Sequence, residues 1–582
     1  MCAASIVDDP VSAADNLEEI LRHAYADHQR GDLSAAEVGY QRILQSDSQH
    51  FNALQLLATI AVQRKDSAAA LAWYEKALAT NPLDANSIAN RGIARLNLQH
   101  YEQALADFDQ AITLQPNYAQ TYSHRGTVLR KLDRDDEALT SFNQALALKP
   151  DFADAHLNLG NLLFARKKQS DALSSFEQAI ALNPNYLEAI LSRGKVLYSL
   201  RRYAEALVAF DQVLSQAAQH VGAHFERGNA LCAMRRFTDA ITAFDALLTL
   251  DPHFANAWFR KGDALRELNL PIEAAASYRN GLKLMPENVS AHNNLGVMMM
   301  QLGHLDQAVS AMREGLGCLV KANLFPAELP MQLKVSLPDY EWLLWQVLMG
   351  LASAEVHAFA TAGTLLGLER DGHLLPFDKD LDIGVPFAEM TSACTWMASN
   401  GWTETPNPMR LANPRSFVHD ESGLTIDLFA FQLDNVAGKL ITGFWQCNQP
   451  WSAQRVTEFP APLKLQRVQR AEGYHWALAN PQEWLEALYG DWRTPDHDFD
   501  TVIAAKNLRG FATLTRCFAF NRIARKWQSG QLRKALAGTR HCLRHLPEDE
   551  LLQQVENCLA SALATPDLPR TVPVASAGAG ID

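Results

Sequence analysis

Cysteine is scarce in this 582-residue chain and unpatterned: Cys2, Cys232, Cys318, Cys394, Cys447, Cys517, Cys542 and Cys558 form no C-x-x-C pair and keep no regular spacing. That excludes a disulfide framework, so the thiols are expected to be reduced and mostly in cores, in a cytoplasmic setting. Long apolar runs are missing too. No window approaches 18 uninterrupted apolar residues, so no transmembrane segment is expected. The start, MCAASIVDDPVSAADNLEEI, has acids where a secretory signal has a basic flank and an apolar stretch, so no signal peptide is expected either. Positive charge is short: a net charge of −13 argues against nucleic acid or anionic membrane as the main partner, while leaving room for a local basic patch. What remains is the composition of an ordinary globular protein, too long for a single core and expected to form two to four domains.

The most regular feature is a period of 34 residues. A small residue recurs at Ala24, Ala58, Gly92, Gly126, Gly160, Gly194, Gly228, Gly262 and Gly296. Alanine follows twelve positions after each, from Ala36 to Ala308, and a bulky side chain four further on, including Tyr40, Tyr74, Phe108, Phe142, Phe176, Phe210, Phe244, Tyr278 and Met312. Proline closes most units, as at Pro82, Pro116, Pro150, Pro184, Pro252 and Pro286. Small residues let two antiparallel helices approach, the bulky one fills the gap to the next pair, and proline stops the second helix. The pattern resembles the tetratricopeptide repeat, in nine units over residues 17–320. The resemblance implies an all-α superhelical solenoid with a concave groove for a protein or peptide partner. Asn90, His124, Asn158, Arg260 and Asn294 fall two residues before the small-residue ladder as groove candidates.

Beyond the repeats, 321–338 reads as a linker with helix-breaking prolines, and Asp339–Ala354 as a helix. Val356–Ala362 reads as a short strand running into Gly363-Thr364. The run Asp378-Lys379-Asp380-Leu381-Asp382-Ile383-Gly384 is the place where residue types demand chemistry. A strand's period of two puts Asp380 and Asp382 on one face and Leu381 and Ile383 in a core. Adjacent like charges are costly without a cation, and oxygen-only donors suit Mg²⁺ or Mn²⁺. In Thr425–Leu433 (TIDLFAFQL), Asp427 is a carboxylate inside an apolar strand and makes the natural third ligand.

Gly363-Thr-Leu-Leu-Gly367, Arg370, Pro376 and the Asp378/Asp380/Asp382-Ile-Gly run look like the motif shared by the LicD phosphocholine transferases and the fukutin group, of the nucleotidyltransferase fold. Trp484–Pro495 (WLEALYGDWRTP) is similar to that family's closing segment, so the likeness spans about residues 340–496. It implies an α+β domain over 339–510 that moves a phospho-alcohol, of phosphocholine or phospho-alditol type, from a cytidine-diphosphate donor to a glycan hydroxyl. Carried over position by position, Asp380, Asp382 and Asp427 hold the metal and do the catalysis. Gly363 and Thr364 hold phosphate at a strand-to-helix turn, Gly367 permits close backbone approach, and Arg370 neutralises phosphate charge. Lys379 and Glu369 depart from the family's usual pattern. Residues 511–564 read as helical, with Ala535, Cys542 and Pro547 at spacings like those of a degenerate repeat, 565–582 as a disordered tail, and 1–16 as an N-terminal tail. Two other functions fit the same residues: a repeat scaffold with an inactive C-terminal domain, and nucleotidyl transfer onto a protein or small molecule.

Overall fold

The computed structural model describes residues 10–326, 340–375, 380–405, 411–496 and 499–565. Pro376, Asp378 and Lys379, most of the 321–338 linker and the tail beyond residue 565 lie outside them. The chain divides into two compact units, 1–236 and 237–582, a boundary that falls inside the run of repeats.

The first unit is a run of paired helices, α1 (Pro10–Gln29) to α13 (Val221–Ala233). The ladder residues form its core: Ala36, Ala70, Ala104, Ala138, Phe108, Phe142, Phe176 and Phe210 are all buried. A Cβ built on Gly126 would lie 2.6 Å from the Phe142 ring, so the small residue is there because the aromatic occupies its space. One device was not visible in the sequence. The turn inside each pair carries a left-handed residue at Gly31, Lys65, Gln99, Asp133, Lys167, Arg201 and Arg235, and only the first is glycine. In each such turn the next residue's N–H reaches back to a carbonyl five positions earlier, as from His100 to Arg95 at 2.8 Å, which satisfies an orphan helix carbonyl and offsets the strain.

In the second unit the helices continue from α14 (Phe237–Leu250) through α17 (Val289–Gln301) to α18 (Leu305–Ala322), with the same turn at Asn269 and Gly303. A mixed α/β part follows: α19 (Glu341–Ser353), β1 (Phe359–Ala360), α20 (Ala362–Arg370), β2 (Asp380–Pro386), α21 (Met390–Ser399), β3 (Trp402–Glu404), β4 (Leu411–Asn413), β5 (Arg415–His419), β6 (Thr425–Asp434), β7 (Lys439–Gln446), β8 (Arg455–Phe459), β9 (Leu465–Arg470), β10 (Gly473–Leu478) and α22 (Pro481–Tyr489). The strand expected over 356–362 is two residues long, because Thr361 already caps α20. Eight strands form one sheet in the order β1-β2-β6-β5-β3, with β7 joining β6 to β4 and β8; β9 and β10 form a separate hairpin. β2 and β6 run parallel, the connection between them carrying α21 and strands β3 to β5.

Alternation along β2 and β6 separates two environments. Leu381, Ile383, Ile426 and Leu428 are buried against α19 and α21, with Leu344, Leu348 and Met397. On the opposite face, Phe359 and Phe431 pack with Phe459 and Trp484 of α22, so the closing segment anchors that end of the sheet. Gly384 belongs to this contact: a Cβ there would sit 2.5 Å from the Phe359 ring.

The chain then forms α23 (Thr501–Ala504), α24 (Thr513–Gln528), α25 (Leu532–His545) and α26 (Glu550–Ala564). α24 packs on α17 and α18, with Trp527 fully buried, stacked on Phe325 and donating its indole N–H to the Leu324 carbonyl at 3.1 Å. Arg313 of α18 pairs with Asp549, and the α24–α25 turn carries the same left-handed residue, here Gly530. Among the described cysteines, expected to be mostly core, only Cys517 and Cys542 are buried; Cys447, in the turn after β7, is exposed, and Cys232, Cys318, Cys394 and Cys558 are half-buried, since local position rather than composition sets exposure. Among the described residues no helix is long and apolar enough to cross a membrane.

Candidate functional site

Three acids distant in sequence meet on one face of the sheet. In the parallel pairing, Asp382 of β2 stands directly opposite Asp427 of β6, and Asp380 lies two residues before Asp382 opposite Thr425. All three side chains are half-buried while their strand neighbours are in the core, so a period of two turns them to the same side. Adjacent parallel strands are about 4.8 Å apart, which makes Asp382 and Asp427 neighbours across the ladder.

Each of these two is held by a donor. The Gly363 N–H in the first turn of α20 donates to Asp382 Oδ2 at 3.0 Å, so this carboxylate sits at the positive end of a helix. The Thr364 hydroxyl oxygen accepts the Asp382 backbone N–H at 2.7 Å, and the Thr361 N–H reaches the Asp382 carbonyl at 3.1 Å. Together these contacts pin the start of α20 to β2. On β5, Ser416 stands opposite Asp427 and its hydroxyl donates to Asp427 Oδ1 at 2.5 Å. Burial pushes Asp427 up from 3.8 to about 6; Ser416 opposes the shift and the charge of Asp380 adds to it.

The remaining sequence candidates lie differently. Gly363 and Thr364 are at the acids, but Thr364 is buried and both act first on Asp382. Gly367 packs against the turn after α20: a Cβ there would lie 2.7 Å from the His373 carbonyl oxygen, so the close approach it allows is to this chain's own backbone. Arg370 is at the far end of α20, seven residues from Gly363 or about 10 Å along the axis, and its guanidinium forks onto Asp371 at 2.9 and 3.0 Å. Of the closing segment, Trp492 is buried and Tyr489 packs against Phe499, the rings tilted and 5.0 Å apart. Ser416 was not found from sequence. A serine two strands away carries no local signal, and only the β5–β6 register brings it to Asp427.

Among the described residues no three histidine, cysteine, aspartate or glutamate side chains are already closed around a point where they could hold a metal. The donor chemistry nevertheless fits a hard divalent cation. The acids offer oxygen alone, and the charge of Asp380 adds to the burial that raises Asp427, a repulsion a cation would relieve.

Comparison with known proteins divides the chain in the same way. Residues 355–462 match the family described as LicD/FKTN/FKRP, nucleotidyltransferase domain. Tetratricopeptide-repeat families match within 85–118 and, in overlapping pieces, 126–279. No curated protein matches the chain. Among solved structures, the chain is similar to YrrB, described as a TPR protein with an unusual peptide-binding site, at 22% identity over 32% of this chain and 95% of that one, with a TM-score of 0.29. It is similar to PilW, a type IV pilus biogenesis factor, at 22% over 35% and 94%, TM-score 0.33. A third is the C-terminal part of a repeat protein from Cytophaga hutchinsonii, at 17% over 41% and 98%, TM-score 0.35. Likenesses at this level carry no inference about ligand or partner.

Proposed function

From the premise that this chain joins tetratricopeptide repeats to a LicD/FKTN/FKRP nucleotidyltransferase domain, we propose that it is a metal-dependent transferase. It moves a phospho-alcohol from a cytidine-diphosphate donor to a glycan hydroxyl, and the repeats recruit a protein partner. The observation that carries the reading is the register Asp382↔Asp427 with Asp380 two residues away on the same face. Asp380, Asp382 and Asp427 would hold Mg²⁺ or Mn²⁺, which when bound supplies charge neutralisation for phosphates and polarises the reacting phosphorus. The chain's own contribution is positioning. The α20 N-terminus fixes Asp382, and Ser416 fixes Asp427. With the cation bound, one of the three carboxylates would take the proton of the acceptor hydroxyl.

The competing reading, a repeat scaffold with an idle domain, draws on the lack of a closed three-ligand set among the described residues. A donor screen by phosphorus NMR separates the three possibilities. With Mn²⁺ or Mg²⁺, cytidine-diphosphate donors and a glycan acceptor, the expected product is CMP. Pyrophosphate released from a nucleoside triphosphate would make it a nucleotidyltransferase, and no turnover or nucleotide binding would leave the scaffold.

The pH dependence of cation binding is a further expectation. The raised Asp427 means that between about pH 4 and pH 6 the native protein keeps a proton the unfolded chain has lost, so this group's contribution to stability declines as pH rises through that window. The cation must displace the same proton. Mn²⁺ affinity measured by calorimetry should therefore rise roughly tenfold from pH 5 to pH 6.5 and level off above. An affinity flat across that range would remove Asp427 from the ligand set.

A further inference from the structure

From Thr501 to Pro547 the chain carries ten lysines and arginines and no aspartate or glutamate, inside a protein of net charge −13. The fold gathers part of this charge around one buried carboxylate. Asp500, which caps α23, takes Arg522 Nη1 at 2.9 Å and Lys526 Nζ at 3.0 Å. Arg455 is a third cation beside it. Arg455 is 5% exposed, lies over the Phe444 ring, and donates to the Val502 and Thr501 carbonyls at 2.6 and 2.5 Å. Its electrostatic partner is the same Asp500.

α25 extends the cluster. His541 has its Nε2 buried with no hydrogen-bond partner among the described residues, and its ring is 5.2 Å from that of His545. Arg544 and Lys506 are charged neighbours of His541, and Lys506 lies against Gly490 of the closing segment. Three cations share the one buried carboxylate and the His541 ring nitrogen has no partner among the described residues, so this region carries more positive charge than its own counter-ion balances.

We propose that the surface formed by Lys506, Arg522, Lys526, His541 and Arg544 is an anion site for a phosphate-bearing group, preferably a diphosphate. Asp500 holds Arg522 and Lys526 together, and Asp500, Lys506 and Arg544 are electrostatic neighbours of His541, so guanidinium, ammonium and imidazole groups share one region, which suits a compact multivalent oxyanion. An acidic peptide would need cations spread along a line. This site is distinct from the three acids, which repel a free anion, so it stands or falls apart from the proposed activity. The same chemistry could come from soluble diphosphate or from a lipid headgroup.

The test uses the full-length protein in EDTA at low salt, titrated with inorganic pyrophosphate by calorimetry. Binding is expected, weakened about tenfold by Arg544→Gln and again by His541→Gln, and unchanged by Asp380→Asn. Arg544 is exposed, so its substitution tests charge even if His541→Gln disturbs packing. Sedimentation with phosphatidylglycerol vesicles, competed by pyrophosphate, would identify a headgroup. Pyrophosphate binding without vesicle binding would identify a soluble ligand. No pyrophosphate binding, binding indifferent to both α25 substitutions, or tighter binding of polyglutamate would overturn the proposal.

Discussion

Asp382→Asn protein should fold normally and lose transfer activity by on the order of 10³-fold, equivalent to about 4 kcal/mol of transition-state stabilisation. Asparagine keeps the shape and an oxygen for the Gly363 N–H, so the α20 contact survives while the charge facing Asp427 disappears. Asp427→Asn should lose activity to a similar extent yet raise the stability of the cation-free protein at pH 7, because it removes a buried carboxylate that burial alone makes unfavourable. Opposite signs in activity and stability at one position are the mark of a functional rather than a structural acid. The measurement is turnover by phosphorus NMR alongside thermal unfolding in EDTA. Asp382→Asn protein with undiminished turnover would sink the assignment, as would an Asp427→Asn protein less stable than the parent.

The second large effect is structural. Asp500→Asn should destabilise the second unit by roughly 3–5 kcal/mol, the cost of leaving a buried charge without its counterpart. Burial by itself would raise the Asp500 pKa, but Arg522 and Lys526 outweigh it and hold the group down at about 2. Burial pushes Arg455 down to about 9, so it is still charged at neutral pH and depends on Asp500. With the carboxylate depressed below its unfolded value, its stabilisation is complete above about pH 4 and is lost as pH falls toward 2. Urea unfolding at pH 7 and pH 3 tests both points: the wild type should lose stability at the lower pH, and the variant should be less sensitive. A change under 1 kcal/mol at pH 7 would mean the three cations are satisfied elsewhere.

Arg370 shows where reading residues one by one stops. Its motif position resembles a phosphate ligand, but α20 carries it away from Gly363 and its neighbour Asp371 captures the guanidinium. Gly367 and Gly384 were conspicuous for the right reason, close approach, yet the partners are the His373–Leu375 backbone and the Phe359 ring. Ser416 and the Asp500 cluster gave no local signal, because their meaning lies in which strand or helix they face.

By its sequence alone this protein declares a 34-residue helical repeat and a strand with acids on one face, because periodicities of helix and strand are written in residue order and survive without a partner. Only the tertiary structure decides that β6 pairs in parallel with β2 at the register that sets Asp427 beside Asp382, that α20 points its N–H groups at them, and that one buried carboxylate is shared by cations from β8 and α24. Those are long-range pairings, selected by burying Leu381, Ile383, Ile426 and Leu428 in a common core, and a one-residue slip in register would turn the acids into it.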